Sequence, residues 1–211
     1  MQKLASEFIG TFLLLNAVVG SGIMATNLTS DVGLQLLINA LATVAMLSVI
    51  ITVFAEISGA HFNPVVSLYS AIRGVLKPRE LFGYAIAQIL GAIVGTMTAN
   101  LIFQHKVLEI SSNNRLSLGT FLGEILATFG LIMVIAAKPH KASILVPAWI
   151  TSAFFFTSST TFANPAVTIG RIFTNSFSGI APSSIVGFVA AQFLAMFLFV
   201  GLLSLVKKEN Q

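Results

Sequence analysis

Six stretches of this chain are nearly free of charge and long enough, or almost so, to cross a lipid bilayer: Ser6–Met24, Leu34–Phe54, Leu81–Phe103, Leu116–Ala137, Ala142–Phe156 and Ser183–Val206. A helical crossing needs about 20 mostly apolar residues, and the six together use most of the 211 residues. The joints between them are short, so residues 1–211 read as a single compact domain with no soluble appendage. Charge supports the same conclusion. Only 9% of residues are charged and the mean hydropathy is +0.94, where a soluble domain carries roughly 25% charged residues.

The opening Met1-Gln2-Lys3 followed by an apolar stretch has the outline of a cleaved signal peptide, but the stretch contains Glu7 and outruns a typical signal core. An uncleaved first span is expected. The absence of cysteine excludes disulfides, thiolate metal sites and cysteine nucleophiles. The net charge of +4 comes from basic residues scattered at span ends rather than gathered on one face, which argues for the bilayer as partner and against nucleic acid. Their placement orients the chain. With the N-terminus inside, Lys3, Arg73, Lys77, Arg79, Lys138, Lys141, Lys207 and Lys208 are cytoplasmic, against Lys106, Arg115 and Arg171 outside. Both termini are expected on the cytoplasmic side.

The two halves, approximately residues 1–105 and 116–211, echo each other in order. Ser6-Glu7-Phe8-Ile9-Gly10-Thr11 returns as Gly123-Glu124-Ile125-Leu126-Ala127-Thr128, Asn63-Pro64-Val65-Val66 as Asn164-Pro165-Ala166-Val167, and Ala87-Gln88-Ile89-Leu90 as Ala191-Gln192-Phe193-Leu194. Each half reads span, span, Asn-Pro segment, span. Three spans per half require the second copy to lie upside down, an inverted repeat of the kind used in transport folds.

A single Asn-Pro between spans is an ordinary turn. Two in matching places are helix starts, since Asn is a favoured N-cap and Pro a favoured first helical residue. Pro64–Arg73 and Pro165–Asn175 are then half-helices of roughly 15 Å, half of a hydrocarbon core of about 30 Å. Such backbone is tolerated at that depth only where it lines a cavity or is buried in protein. The expected fold is an all-α membrane protein with six transmembrane helices and two re-entrant half-helices. Glycines at Gly91-x-x-x-Gly95 and Gly119-x-x-x-Gly123 suit close helix packing, and the 18 phenylalanines are bulk at lipid and helix contacts.

Together the Glu-Phe-Ile-Gly-Thr opening, Ser58-Gly59-Ala60-His61-Phe62-Asn63-Pro64-Val65, Asn164-Pro165-Ala166 and the repeated glutamates resemble the aquaporin and aquaglyceroporin family over essentially the whole length. Val65 departs from the first Asn-Pro-Ala box. The resemblance implies a homotetramer with one pore per subunit and a role for Glu7 and Glu124 in bracing the backbone that enters the half-helices. His61 reads as part of the same bracing, with no metal cluster around it and no cofactor implied. If the side-chain oxygens of Asn63 and Asn164 cap their own helices, their amide hydrogens donate into the pore, and the positive helix ends, each equivalent to about half an elementary charge, repel cations.

By the same resemblance, gapless counting from the Asn-Pro boxes assigns the narrowest ring to Thr43, Ser152, Thr161 and Val167. The arginine that usually follows the second box is replaced by Val167, as in a bacterial subgroup associated with arsenic resistance. A ring of three hydroxyls and one valine is wide, uncharged and able to exchange hydrogen bonds with a neutral triol such as glycerol or As(OH)3. Arg171, one turn beyond Val167, either restores positive charge at the outer mouth or makes an ordinary salt bridge. Three readings follow: a channel for metalloid hydroxides, glycerol and water; a predominantly water-selective aquaporin; and a closed structural membrane protein. An enzyme is disfavoured, since no nucleophile with a base, paired acid or metal cluster is visible.

Overall fold

The computed structural model describes residues 1–209, with the side chains of residues 206–209 excepted. Lys207 and Lys208, two of the charges used for orientation above, therefore lie outside the described side chains. Eight α-helices carry the fold: α1 (Gln2–Leu28), α2 (Val32–Ser58), α3 (Pro64–Ile72), α4 (Pro78–Ile102), α5 (Leu118–Ala137), α6 (Ala142–Phe156), α7 (Pro165–Gly170) and α8 (Pro182–Glu209). There is no strand among the described residues.

Helices α1, α2, α4, α5 and α8 are each long and apolar enough to cross a membrane. The sixth crossing segment, α6, has 15 residues and is preceded by a 3-10 turn at Pro139–Lys141. Helices α1, α2, α4 and α8 are longer than the uncharged runs because polar end turns remain helical, as where Asp31 caps α2 through Leu34 N and Pro78 occupies the first position of α4; α5 starts two residues inside its run and α6 coincides with its own. The second half-helix is shorter than expected. It ends at Gly170, and Arg171–Phe173 continue as a 3-10 turn.

Glycine sets the closest helix contact. A Cβ on Gly91 or Gly95 of α4 would collide with the carbonyls of Phe8 and Phe12 on α1, so these two helices approach backbone to backbone. The second glycine pair does something else. Gly119 and Gly123 on α5 face Ser158 and Ser159, making room for the loop that enters α7 rather than for a neighbouring helix. Many large apolar side chains point outward, among them Phe82, Val186 and Leu118, each at least 75% exposed, which suits a surface solvated by lipid. Polar side chains are correspondingly drawn inward, with Glu7, Glu124, Gln88 and Gln192 fully buried.

Candidate functional site

The site starts with the two asparagines. Asn63 Oδ1 accepts Val65 N at 3.0 Å, and Asn164 Oδ1 accepts Ala166 N at 2.9 Å and Val167 N at 3.3 Å. Each side chain thereby caps its own half-helix, and Pro64 and Pro165 occupy the first helical positions. The amides reach across: Asn63 Nδ2 donates to Ala163 O and Asn164 Nδ2 to Phe62 O, both at 2.8 Å. The half-helices therefore meet N-terminus to N-terminus. One hydrogen of each amide is used in the crossing, so a single hydrogen per asparagine is left for the passage, where the sequence suggested both.

The accepting carbonyls belong to loops in an unusual conformation. Ala60, Phe62, Thr161 and Ala163 all have φ between 47° and 53°, a left-handed region that costs non-glycine residues energy and needs enforcement. Two buried carboxylates supply it. Glu7 accepts His61 N at 3.0 Å, Phe62 N at 2.6 Å, Ser58 Oγ at 2.6 Å and Gln88 Nε2 at 2.7 Å. Glu124 accepts Phe162 N at 2.9 Å, Ala163 N at 2.8 Å and Gln192 Nε2 at 2.6 Å. A carboxylate at this depth is costly unless its oxygens are filled with donors, and here they are. Gln88 and Gln192 also reach Ser67 Oγ and Thr168 Oγ1, tying each brace to its half-helix. The glutamines were visible in the sequence only as part of an echo; their function as links needed the distances.

Around the crossed asparagines runs a cavity of about 470 Å³. It extends from Ser70, Arg73 and Pro139 at one end to Thr161, Val167 and Arg171 at the other. One wall is apolar, built from residues such as Leu14, Val18, Leu47, Ile51, Leu131 and Ile150. The other includes Asn63, Asn164, His61 and the two left-handed loops. His61 also lies within 3.1 Å of Ser67 Oγ through Nδ1 and against the Tyr84 ring at 5.4 Å. Among the described residues no group of three metal-ligating side chains occurs.

Thr43, Thr161 and Val167 line this cavity; Ser152 does not. Ser152 is exposed on the outside of α6, its hydroxyl bonded to Ala148 O at 3.2 Å. The lining face of α6 carries Val146, Ile150 and Phe154, an i, i+4 series. At about 100° per residue, Ser152 sits on the far side of the helix from Ile150. Of the lining residues on this face, the buried Phe154 is the one nearest the C-terminal end of α6. Of the four residues that counting assigns, the cavity lining therefore holds two hydroxyls and a valine, and Phe154 adds a phenyl to the same lining. The hydroxyl of Thr43 is buried without a partner in the protein, and that of Thr161 lies 3.2 Å from Thr157 Oγ1.

Arg171 is only 4% exposed. It donates from Nε to Ser178 O, and its guanidinium lies 3.6 Å from the centroid of the Phe162 ring. Arg115 stands near the same ring at 5.8 Å, donating from Nε to Gly179 O at 2.7 Å and from Nη2 to Phe177 O at 2.6 Å. Neither makes a salt bridge; the ion pair found among the described residues is Lys3–Glu80.

A lipid-facing helical bundle pierced by a lined cavity defines a membrane channel. The family model for the major intrinsic protein matches residues 1–156. Aquaglyceroporin AqpS of Rhizobium meliloti (strain 1021) is 47% identical over 197 residues, covering 92% of this chain and 84% of that protein. Probable aquaporin TIP2-2 of Arabidopsis thaliana is 35% identical over 175 residues, covering 78% of this chain and 69% of that one. The X-ray structure of the aquaglyceroporin from Plasmodium falciparum superposes with a TM-score of 0.66 at 25% identity, covering 94% of both chains. The chain belongs to the major intrinsic protein family, whose members are channels rather than enzymes.

Proposed function

We propose that the protein is a passive channel for water and small neutral solutes, glycerol-like polyols and the trihydroxy metalloid acid As(OH)3 among them, with selectivity set at Thr43, Phe154, Thr161 and Val167. The observation that carries this reading is the uncharged ring: Val167 lines the cavity where the family resemblance places an arginine. Two hydroxyls exchange hydrogen bonds with a triol while Phe154 and Val167 contact its apolar face. Ions are rejected because the only polar groups at the crossing are neutral amides and loop carbonyls, and because the half-helices turn their positive ends toward it.

Arg171 favours a second reading, a water-selective pore, because it lines the same cavity. Light-scattering measurements on proteoliposomes with water, glycerol and arsenite separate the two. The first requires glycerol and arsenite flux well above empty vesicles; water flux alone establishes the second; the absence of all three supports a closed structural protein. Asn164→Asp tests ion exclusion, since it removes the donor to Phe62 O and adds a negative charge; proton or sodium leak is expected to rise, and an unchanged leak with normal solute flux counts against Asn164 as the barrier.

The assembly is read as a homotetramer in the cell membrane with both termini cytoplasmic. The resemblance supports the tetramer, the bacterial relative the compartment, and the distribution of Lys and Arg the orientation. Native mass spectrometry and protease accessibility of terminal tags test these points.

A further inference from the structure

Beside the Arg171 mouth lies a second cavity of about 420 Å³, lined in part by Asn39, Asn113, Arg115, Thr160 and Arg171. Arg171 borders both this cavity and the passage. Three facts about it bear on what it would hold. First, two guanidiniums share the Phe162 ring, at 3.6 Å and 5.8 Å from its centroid. Second, the hydrogen bonds they make are to neutral backbone carbonyls, of Ser178, Gly179 and Phe177. Third, the carboxylates of this end of the molecule, Asp31 and Glu109, make no ion pair with either, and Glu124 is occupied by its own loop. Like charges held together with no ion pair to either repel one another; the buried Glu124 carboxylate offsets this in part at Arg171, and an anion in the cavity both arginines line relieves the rest.

We propose that this cavity binds a tetrahedral oxyanion of the inorganic phosphate class, and that the bound anion partly closes the channel. Arg115 Nη1 and the two Nη groups of Arg171, which make no hydrogen bond among the described residues, supply donors that match such oxygens. The Thr160 hydroxyl, which makes no hydrogen bond to the described protein, adds a neutral donor. A halide is a single round acceptor and offers no pair of oxygens to a fork. Because Arg171 belongs to both cavities, an anion on it stands at the edge of the solute path and orders the guanidinium there. Block rests on the channel reading above; binding does not.

The test compares glycerol permeability of proteoliposomes in sodium phosphate and in sodium chloride, at equal ionic strength and osmolarity on both sides. Permeability in phosphate is expected to fall about twofold at concentrations on the order of 10 mM, as for a wet site with millimolar affinity. Arg115→Gln and Thr160→Val are each compared with themselves in the two salts, and both are expected to lose most of the phosphate effect. Thermal denaturation in detergent supplies an arm that needs no flux: phosphate raises the midpoint of the unsubstituted protein relative to chloride by more than it raises that of Arg115→Gln, which separates site binding from the general stabilising effect of phosphate salts. Glycerol flux that is normal and indifferent to phosphate, with an unmoved midpoint, overturns the proposal and leaves the channel reading intact. Absent flux with a phosphate-dependent midpoint overturns the channel reading and retains the site. Phosphate inhibition undiminished in both folded variants overturns the location.

Discussion

The two halves of the channel are built alike where they hold the backbone and differently where they face the entrances. Glu7, Ser58, Ser67 and Gln88 surround the first left-handed loop as Glu124, Ser159, Thr168 and Gln192 surround the second; Ala60 N donates to Ser58 Oγ as Thr161 N does to Ser159 Oγ. The ring pairs diverge. In the first half His61 lies against Tyr84, whose hydroxyl donates to Ser58 O at 2.8 Å. At the matching positions of the second, Phe162 lies against Phe188 with centroids 5.0 Å apart, and two arginines share the Phe162 ring. The mechanical requirement, keeping two strained loops in place, is the same in both halves and is met by the same set of contacts. The entrances meet different surroundings and were free to differ.

The most damaging way to test the shared brace is to remove a carboxylate. Glu7→Ala and Glu124→Ala each leave buried N–H donors with no acceptor, at about 1–3 kcal/mol apiece, and release a loop whose φ values are unfavourable. Several such losses approach the whole stability of a typical domain. Both variants are expected to yield little or no monodisperse protein in detergent, and to a similar degree. A Glu124→Ala protein that is folded and conducting would show that the second loop is held by something other than its matching carboxylate.

Selectivity, by contrast, is assigned to the Arg171 end alone. Val167→Arg adds a long, permanently charged side chain with five donors to the ring, filling the space that a triol needs. The glycerol-to-water permeability ratio is expected to drop about tenfold, the effect of about 1.4 kcal/mol added to the barrier for glycerol. Phe154→Ala is expected to move the ratio the opposite way. Vesicles must carry equal amounts of protein, because arginine within a membrane protein also lowers insertion. An unchanged ratio in Val167→Arg removes Val167 from the selectivity ring.

A smaller effect is expected when the entrances are exchanged. Phe162→His gives the second loop the ring of the first and weakens the stacking with Arg171, a cation–π contact worth about 2 kcal/mol when desolvated. The thermal midpoint should fall modestly while the loop and water flux survive. Loss of folding on the scale of Glu124→Ala would mean that the aromatic pair is part of the brace.

What the sequence disclosed follows the same division. The glutamates, the Asn-Pro pairs and their order could be read directly because ionisable residues and helix-start signals inside apolar runs have few other uses. The link through Gln88 and Gln192 was present as an echo without chemistry, since which donor fills a carboxylate depends on how α4 and α8 pack. Arg171 stands out in the sequence beside Val167, but its partner Arg115 comes from a loop far away in sequence and meets it at the Phe162 ring and the second cavity. The facing of α6 differs from the gapless count. A gapless count from Asn164 assumes a fixed path from the end of that helix to the half-helix, and the turn from Thr157 to Ala163 carries three residues of positive φ that no spacing rule anticipates.

The smallest effect is expected at the misassigned position itself. Ser152 is exposed on the outer side of α6, and its hydroxyl is bonded only to the carbonyl one turn earlier, at Ala148. Alanine fits a helix at least as well as serine and forfeits one exposed hydroxyl, so Ser152→Ala should alter stability by no more than about 0.5 kcal/mol. Because the side chain points away from Val146, Ile150 and Phe154, it has no route to the solute. Glycerol, arsenite and water permeabilities should therefore match the unsubstituted channel within error, measured in the same vesicles in which Phe154→Ala changes them. A selective change in glycerol or arsenite flux in Ser152→Ala, with Phe154→Ala silent, would mean that α6 is turned by roughly half a revolution in the conducting state, and the ring would revert to the three hydroxyls and one valine inferred from counting.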